Sequence, residues 1–305
     1  MNKVLVGLDR SKSFRVYLTD TTSMVEEARK IHSTTPLATA GLGRVLTGTG
    51  LMGLLLKNPT DKVTVQFKGD GPAIQILATA NGEGKVKGYI SNPNVDLPLT
   101  EEGKLDVGGS LGIGELTVIK DLGLKEPYVG KIALVSGEIA DDLTAYYYIS
   151  EQQNSSIALG VKIETDCHVG AAGGLIIQML PDAEEASVDA LEAMIEEMPP
   201  LTTIITNVKE KNPLLSGEGL LRAMLEEIFG NMPEAYRVEV LDFREMGWEC
   251  DCSEERLEKV VMAIGRKDLE EIIKEDGEAE LMCQFCTKKY HFSKERLEGL
   301  LARIK

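Results

Sequence analysis

Apolar and polar side chains alternate from the start of the chain. Val4, Val6 and Leu8, then Phe14, Val16 and Leu18, recur every second residue around Asp9-Arg10-Ser11-Lys12, which predicts strands over 3–8 and 13–19 joined by a turn. Residues 22–32 carry a helical pattern. Pro36 follows Thr35 at a place suited to the first turn of a helix, and the Ala, Gly and Leu run after it predicts a buried helix that another element approaches closely. Short strands return over 63–67, 73–77 and 86–90, broken at Gly69-Asp70-Gly71, Asn81-Gly82 and Asn92-Pro93, and a further strand is expected over 113–118. These predict an antiparallel sheet. A helix is expected from Ser136 through Tyr146-Tyr147-Tyr148 towards Gln153, then a strand over 159–163; residues 171–180 close the first domain, with Pro181 as the exit.

The pattern changes after Pro181. Residues 182–198 hold seven acidic side chains and no basic one, with a weak apolar stripe at Ala186, Leu191, Met194 and Ile195. Further helices are expected over 201–206 and 220–229, divided at Pro199-Pro200 and Asn212-Pro213. Such a stretch is too small to bury its own apolar residues and must dock on a neighbour, so its local stability is low once that neighbour is lost. The end of the chain reads as a strand at 238–241, a helix capped by Ser253 and closing at Gly265, a short helix with Asp268 and Glu271 as capping box, and a last helix carrying Leu297, Leu300, Leu301 and Ile304. The expected fold is α+β: a mixed α/β N-terminal domain with an antiparallel sheet over 1–180, a helical linker over 181–235, and a small C-terminal domain over 236–305.

Charge narrows the function. A formal net charge of −16 over 305 residues argues against a nucleic-acid surface, which needs clustered Lys and Arg, and equally against an acidic membrane face. Residues 36–56 have Arg44 as their sole charge, but five glycines and a mid-span arginine point to a buried helix in a soluble core. The opening residues lack the apolar run of a signal peptide and reach charges by Asp9, so a cytoplasmic location is expected.

Three motifs match known chemistry by letter alone. Gly48-Thr49-Gly50-Leu51-Met52-Gly53 fits a dinucleotide fingerprint, but it lies within a helical pattern with no strand before it. Gly108-Gly109-Ser110-Leu111-Gly112 fits a nucleophile elbow, with Asp141 and His168 following in order. The residues after it read as strand where an elbow needs a helix, so a glycine-rich turn between strands is expected. Cys167-His168 suggests a thiol nucleophile, yet neighbours in a strand face opposite ways, and Cys167 is read as a small, partly buried residue.

The remaining four cysteines fall into two tight pairs, Cys250-Asp251-Cys252 and, thirty residues later, Cys283-Gln284-Phe285-Cys286. Each pair can place two sulfurs on one metal from a single turn, and two pairs complete the four-thiolate tetrahedron that Zn²⁺ favours. One Zn²⁺ per chain is expected on Cys250, Cys252, Cys283 and Cys286; a filled shell leaves His291 outside it. The same full shell leaves no open position for a zinc hydrolase or deaminase, and the second pair argues against a dithiol oxidoreductase, so no enzyme is expected. Few large apolar residues surround the site, so metal binding is expected to supply much of this domain's folding free energy. Two roles stay open on spacing: a closed structural site, which spacing alone favours, and a redox switch, because zinc-bound sulfurs are thiolates, the form oxidants attack.

The chain resembles the 33 kDa chaperonin family, redox-regulated heat-shock holdases of bacteria. The likeness rests on the two cysteine pairs, on 31–36 with Leu42-Gly43-Arg44, on 136–143 with Ser150-Glu151-Gln152, and on 172–181, spread from about residue 24 to 290. It implies that the reduced, zinc-bound chain is idle. It further implies that peroxide or hypochlorite, with unfolding stress, forms disulfides Cys250–Cys252 and Cys283–Cys286. Zinc then leaves, the zinc domain and linker unfold, and apolar surface binds unfolded client proteins, with dimerisation on activation. The resemblance gives Cys167 no role. The competing expectation is a constitutive zinc-ribbon adaptor that binds a fixed protein partner through the acidic linker.

Overall fold

A computed structural model describes residues 1–304, which form two compact units, Met1–Trp248 and a second that begins at Glu249. The first opens with the expected hairpin, β1 (Asn2–Asp9) and β2 (Phe14–Asp20). The Asp9 carboxylate fixes its turn, accepting from Phe14 N at 2.7 Å and Ser11 N at 3.0 Å. Helices α1 (Thr22–His32) and α2 (Pro36–Leu54) follow, and the Thr35 hydroxyl caps α2 by accepting from Ala38 N. Next come β3 (Lys62–Gly69), β4 (Gln75–Asn81), β5 (Lys85–Ile90), a short α3 (Val107–Leu111), β6 (Gly114–Asp121) and β7 (Tyr128–Ala133). Then follow α4 (Ala140–Ser150), β8 (Ser155–Ile163), β9 (Val169–Met179), three helices α5 (Glu185–Glu197), α6 (Leu201–Lys211) and α7 (Gly217–Phe229), and the long β10 (Val238–Trp248).

All ten strands form one sheet in the order β7-β6-β3-β4-β5-β10-β1-β2-β9-β8, antiparallel except where β10 meets β5. Strand alternation divides the core by face. Val4, Val6, Tyr17 and Ile176 face α2 together with Val63, Val65, Phe67 and Val118. Leu5, Phe14, Val16, Leu18, Leu175 and Ile177 face the other way and are covered by Ile204, Ile205, Met224, Ile228 and Phe229 of α6 and α7. The helical stretch after Pro181 thus docks on the sheet of the first unit.

Helix α2 is buried along almost its whole length, and its lone charge is matched: Arg44 Nη1 donates to Glu138 Oε2 at 2.5 Å. Its glycines serve packing. A Cβ on Gly50 would stand 2.2 Å from Met246 Sδ, and one on Gly53 2.8 Å from the Asn81 carbonyl oxygen, so the dinucleotide letters mark a helix pressed onto a sheet. Among the described residues no helix is long and apolar enough to cross a membrane.

Several elements depart from the sequence reading. Residues 107–111 form a short helix where a turn was expected, because the Asp106 carboxylate caps it by accepting from Gly109 N at 2.7 Å. β4 starts at Gln75, since Ile74 takes a left-handed turn conformation with φ 64°. α4 starts at Ala140, after Asp142 has collected the amides of Val135, Ser136 and Ile139. Cys167 is exposed, at φ 69° in the turn between β8 and β9, where a partly buried strand residue was expected. Its amide donates to the Glu164 carbonyl, closing the turn.

The second unit holds α8 (Glu254–Ala263), α9 (Arg266–Glu275), the hairpin β11 (Glu278–Met282) and β12 (Lys289–Ser293), and α10 (Lys294–Arg303). Ser253 caps α8 as expected, accepting from Arg256 N. Asp268 lies inside the first turn of α9, whose cap is Gly265 at φ 101°, so the expected capping box does not form. Its core is small: Val261, Leu269, Tyr290, Phe292, Leu297 and Leu300, with Cys283.

Candidate metal centre

Two loops of the second unit deliver the paired cysteines. Cys283 and Cys286 occupy the turn between β11 and β12, where Cys283 N donates to the Lys288 carbonyl at 3.0 Å and Thr287 N to the Cys283 carbonyl at 2.8 Å. Thr287 has φ 58°, which curls the backbone so that both sulfurs face one side. Cys250 and Cys252 lie just ahead of α8. Arg256 steadies that segment through the Asp251 carboxylate and the Asp251 carbonyl. The two helices flanking the site are tied by Arg296, which reaches Glu254 and Glu258, and by Arg303, which donates to Glu258 at 3.2 Å.

The four sulfurs lie within 4.8 Å of one another. Cys250 Sγ is 3.7 Å from Cys283 Sγ, and Cys252 Sγ is 3.3 Å from Cys286 Sγ. A tetrahedron with Zn–S bonds of about 2.3 Å has sulfurs roughly 3.8 Å apart, so this group fits a metal ion and is consistent with zinc. The expected set comes together in full. Among the described residues it is also the sole group of three or more His, Cys, Asp or Glu arranged to hold a metal. His291 lies outside it, its Nε2 2.9 Å from Glu278 Oε2.

One residue of the site went unassigned in the sequence reading. The Tyr290 hydroxyl stands 3.2 Å from Cys252 Sγ and 3.3 Å from the Cys252 carbonyl oxygen, a donor shared between them. Burial pushes the Cys252 thiol up, but the Tyr290 hydroxyl and the neighbouring sulfurs outweigh it and bring the group down to about 7. Burial dominates at Cys250 and Cys286 and raises both. The sole sequence signal for Tyr290 was its place two residues before Phe292, the spacing of side chains that share one face of a strand.

The other lettered motifs assemble nothing. Ser110 Oγ donates to the Val107 carbonyl, Asp141 accepts from Ser136 Oγ, and His168 pairs with Asp166. Each is engaged locally, and no triad forms among them.

Comparison with known proteins agrees with this fold. The family model described as Hsp33 protein matches residues 2–293. The chain belongs to the Hsp33 family. A 33 kDa chaperonin of Clostridioides difficile is 45% identical over 302 residues, covering 99% of each chain. One from Alkaliphilus oremlandii is 44% identical over 304 residues, covering 99% of this chain and 97% of the relative. The crystal structure of the 33 kDa chaperonin (heat shock protein 33 homolog) from Thermotoga maritima superposes with a TM-score of 0.86 at 36% identity, covering 99% and 98% of the two chains. Hsp33 is a chaperone family, and this member carries a four-cysteine cluster able to hold a metal.

Proposed function

We propose that this chain is a redox-regulated holdase whose four-cysteine cluster binds zinc when reduced and releases it on oxidation. The gathering of four sulfurs from two separate segments in a unit with so small an apolar core carries this reading. Zn²⁺, when bound, holds Cys250, Cys252, Cys283 and Cys286 as thiolates and has no redox chemistry of its own. Peroxide oxidises one sulfur of a pair to a sulfenic acid, breaking its O–O bond and releasing hydroxide. The neighbouring thiolate then attacks that sulfur and expels a second hydroxide, so each pair loses two electrons and becomes a disulfide. We assign the pairs as Cys250 with Cys252 and Cys283 with Cys286, as the family resemblance implies.

With its ligands gone the second unit loses the free energy of metal binding, roughly 10–16 kcal/mol in zinc-finger peptides, and unfolds. Only Glu249 separates the end of β10 from Cys250 in sequence, and Val238, Val240 and Phe243 of β10 pack against the cluster that holds α6 and α7. Fraying of β10 therefore weakens the docking of 181–235, the linker in this reading. Undocking bares Leu5, Phe14, Val16, Leu18, Leu175 and Ile177, a sheet face suited to apolar segments of unfolding clients. The active form is cytoplasmic and dimeric in this account and acts on neither nucleic acid nor membranes.

The test pairs zinc release with light scattering from an aggregating client, before and after peroxide at mild heat. Release of about one zinc per chain, together with suppressed aggregation, supports the proposal. Zinc release with undiminished aggregation assigns the site a purely structural role.

A further inference from the structure

Helix α5 is held to the first unit in two different ways along its length. At its start the ties are polar: Glu184 N donates to Ser13 Oγ at 3.3 Å, and Tyr236 Oη to Glu184 Oε2 at 3.3 Å. Leu191 is buried near the middle. Beyond it the contact is made by apolar side chains. Met194 and Met198, both half-buried, enter a cleft of about 470 Å³ whose far wall is Ile228 and Met232. Ala190 and Ile195 complete the contact.

The helix has little stability of its own. Its five acidic residues are all exposed, it has no basic residue, and Glu196 and Glu197 sit in the last turn against the negative end of the helix dipole. Its docking thus rests on a few apolar groups, two of them thioethers at the mouth of an open cleft.

We propose that Met194 and Met198 form a second oxidant-sensitive site, separate from the cysteines, at which sulfoxidation by a hypohalous acid undocks the C-terminal half of α5. The thioether sulfur gives an electron pair to the chlorine of hypochlorous acid and hydroxide leaves. Water then displaces chloride at sulfur and sheds its protons. The sulfur has lost two electrons to the chlorine, and each side chain has gained one oxygen. A flexible apolar group becomes a polar one that needs hydration, and the cleft opens to supply it. Met24, Met52, Met224 and Met246 are buried and shielded from the reagent.

The test uses the full chain, reduced and supplied with zinc, exposed to graded hypochlorous acid and then to dithiothreitol and zinc. That second step reduces cysteine disulfides and sulfenic acids to thiols and leaves sulfoxides in place. Peptide mass spectrometry should find sulfoxide at Met194 and Met198 before the buried methionines, and amide exchange over 187–197 should quicken about tenfold or more. Methionine sulfoxide reductases A and B together should reverse it. The Met194→Leu/Met198→Leu variant keeps the packing volume and should show no such change after the same treatment. Unchanged exchange with both sulfurs oxidised, or equal loosening in the double variant, overturns the proposal. Neither readout depends on the cysteines acting as a switch.

Discussion

Substituting Ile205 tests whether the helical cover of the sheet opens as a unit of its own. Ile205 lies on α6, fully buried, with its Cδ1 in the notch above Gly173, where a Cβ would stand 2.7 Å away. Ile205→Ala removes three carbons, about 2.4 kcal/mol of transfer free energy at ~0.8 per methylene, and leaves a cavity that brings the cost to about 3 kcal/mol. At 1.4 kcal/mol per decade, the population with α6 and α7 undocked rises roughly a hundredfold. Native-state hydrogen exchange of the reduced protein should show amides of 201–229 exchanging about a hundredfold faster. Val63→Ala is the control: Val63 is fully buried on the face against α2, and undocking of the helices leaves its packing intact. It should speed exchange in α2 and leave 201–229 unchanged. If both substitutions accelerate both regions equally, the first unit opens only as a whole, and the linker argument fails.

Three further outcomes are expected. Cys283→Ser should weaken zinc binding, loosen Glu249–Ile304 and give partial holdase activity without oxidant; a variant as folded and idle as the parent in circular dichroism and light scattering refutes the four-thiolate site. Tyr290→Phe keeps the ring but removes the donor to Cys252, so zinc affinity, read by competition with a chromophoric chelator, should fall roughly 10–100-fold. Glu26 is held down to about 2, chiefly by hydrogen bonds from Arg29, with burial opposing and Val169 N assisting. A lowered folded-state value stabilises above the ordinary carboxylate value near 4.5 and is lost as pH falls from there towards 2. Urea unfolding of Glu26→Gln should therefore show lower stability at pH 7 and a flatter loss across that acid window; parallel curves for the two proteins would refute the assignment.

Local chemistry made much of this fold readable in the sequence, and long-range pairing hid the rest. Period-two runs such as Val4-Val6-Leu8 announced β1 because one face of each strand packs on a core. β10 showed only its first four residues. Asp242 to Met246 look like loop, yet they pair with Val6 back to Asn2, and Arg244 Nη1 donates to the Leu54 carbonyl at 2.7 Å. β7 was missed because it is an edge strand with alternate residues in water, so Tyr128 and Val129 carry little pattern. The hairpin β11–β12 was hidden by its exposed charges, although its turn holds the most legible motif in the chain. The four cysteines were readable because metal binding demands fixed residue types at short spacing. Tyr290 was not, since a hydroxyl beside a sulfur depends on β12 facing the loop before α8. Cys167 was misplaced because Glu164, not strand periodicity, sets the turn that carries it.

The central claim is that opening the metal centre frees the helical cover of the sheet. Hydrogen exchange of the reduced and peroxide-oxidised protein at one temperature, resolved along the chain, tests it directly. The account predicts fast exchange over 249–304 and over 185–229 after oxidation, with α2 as protected as before. Holdase activity gained while both regions stay protected would contradict it.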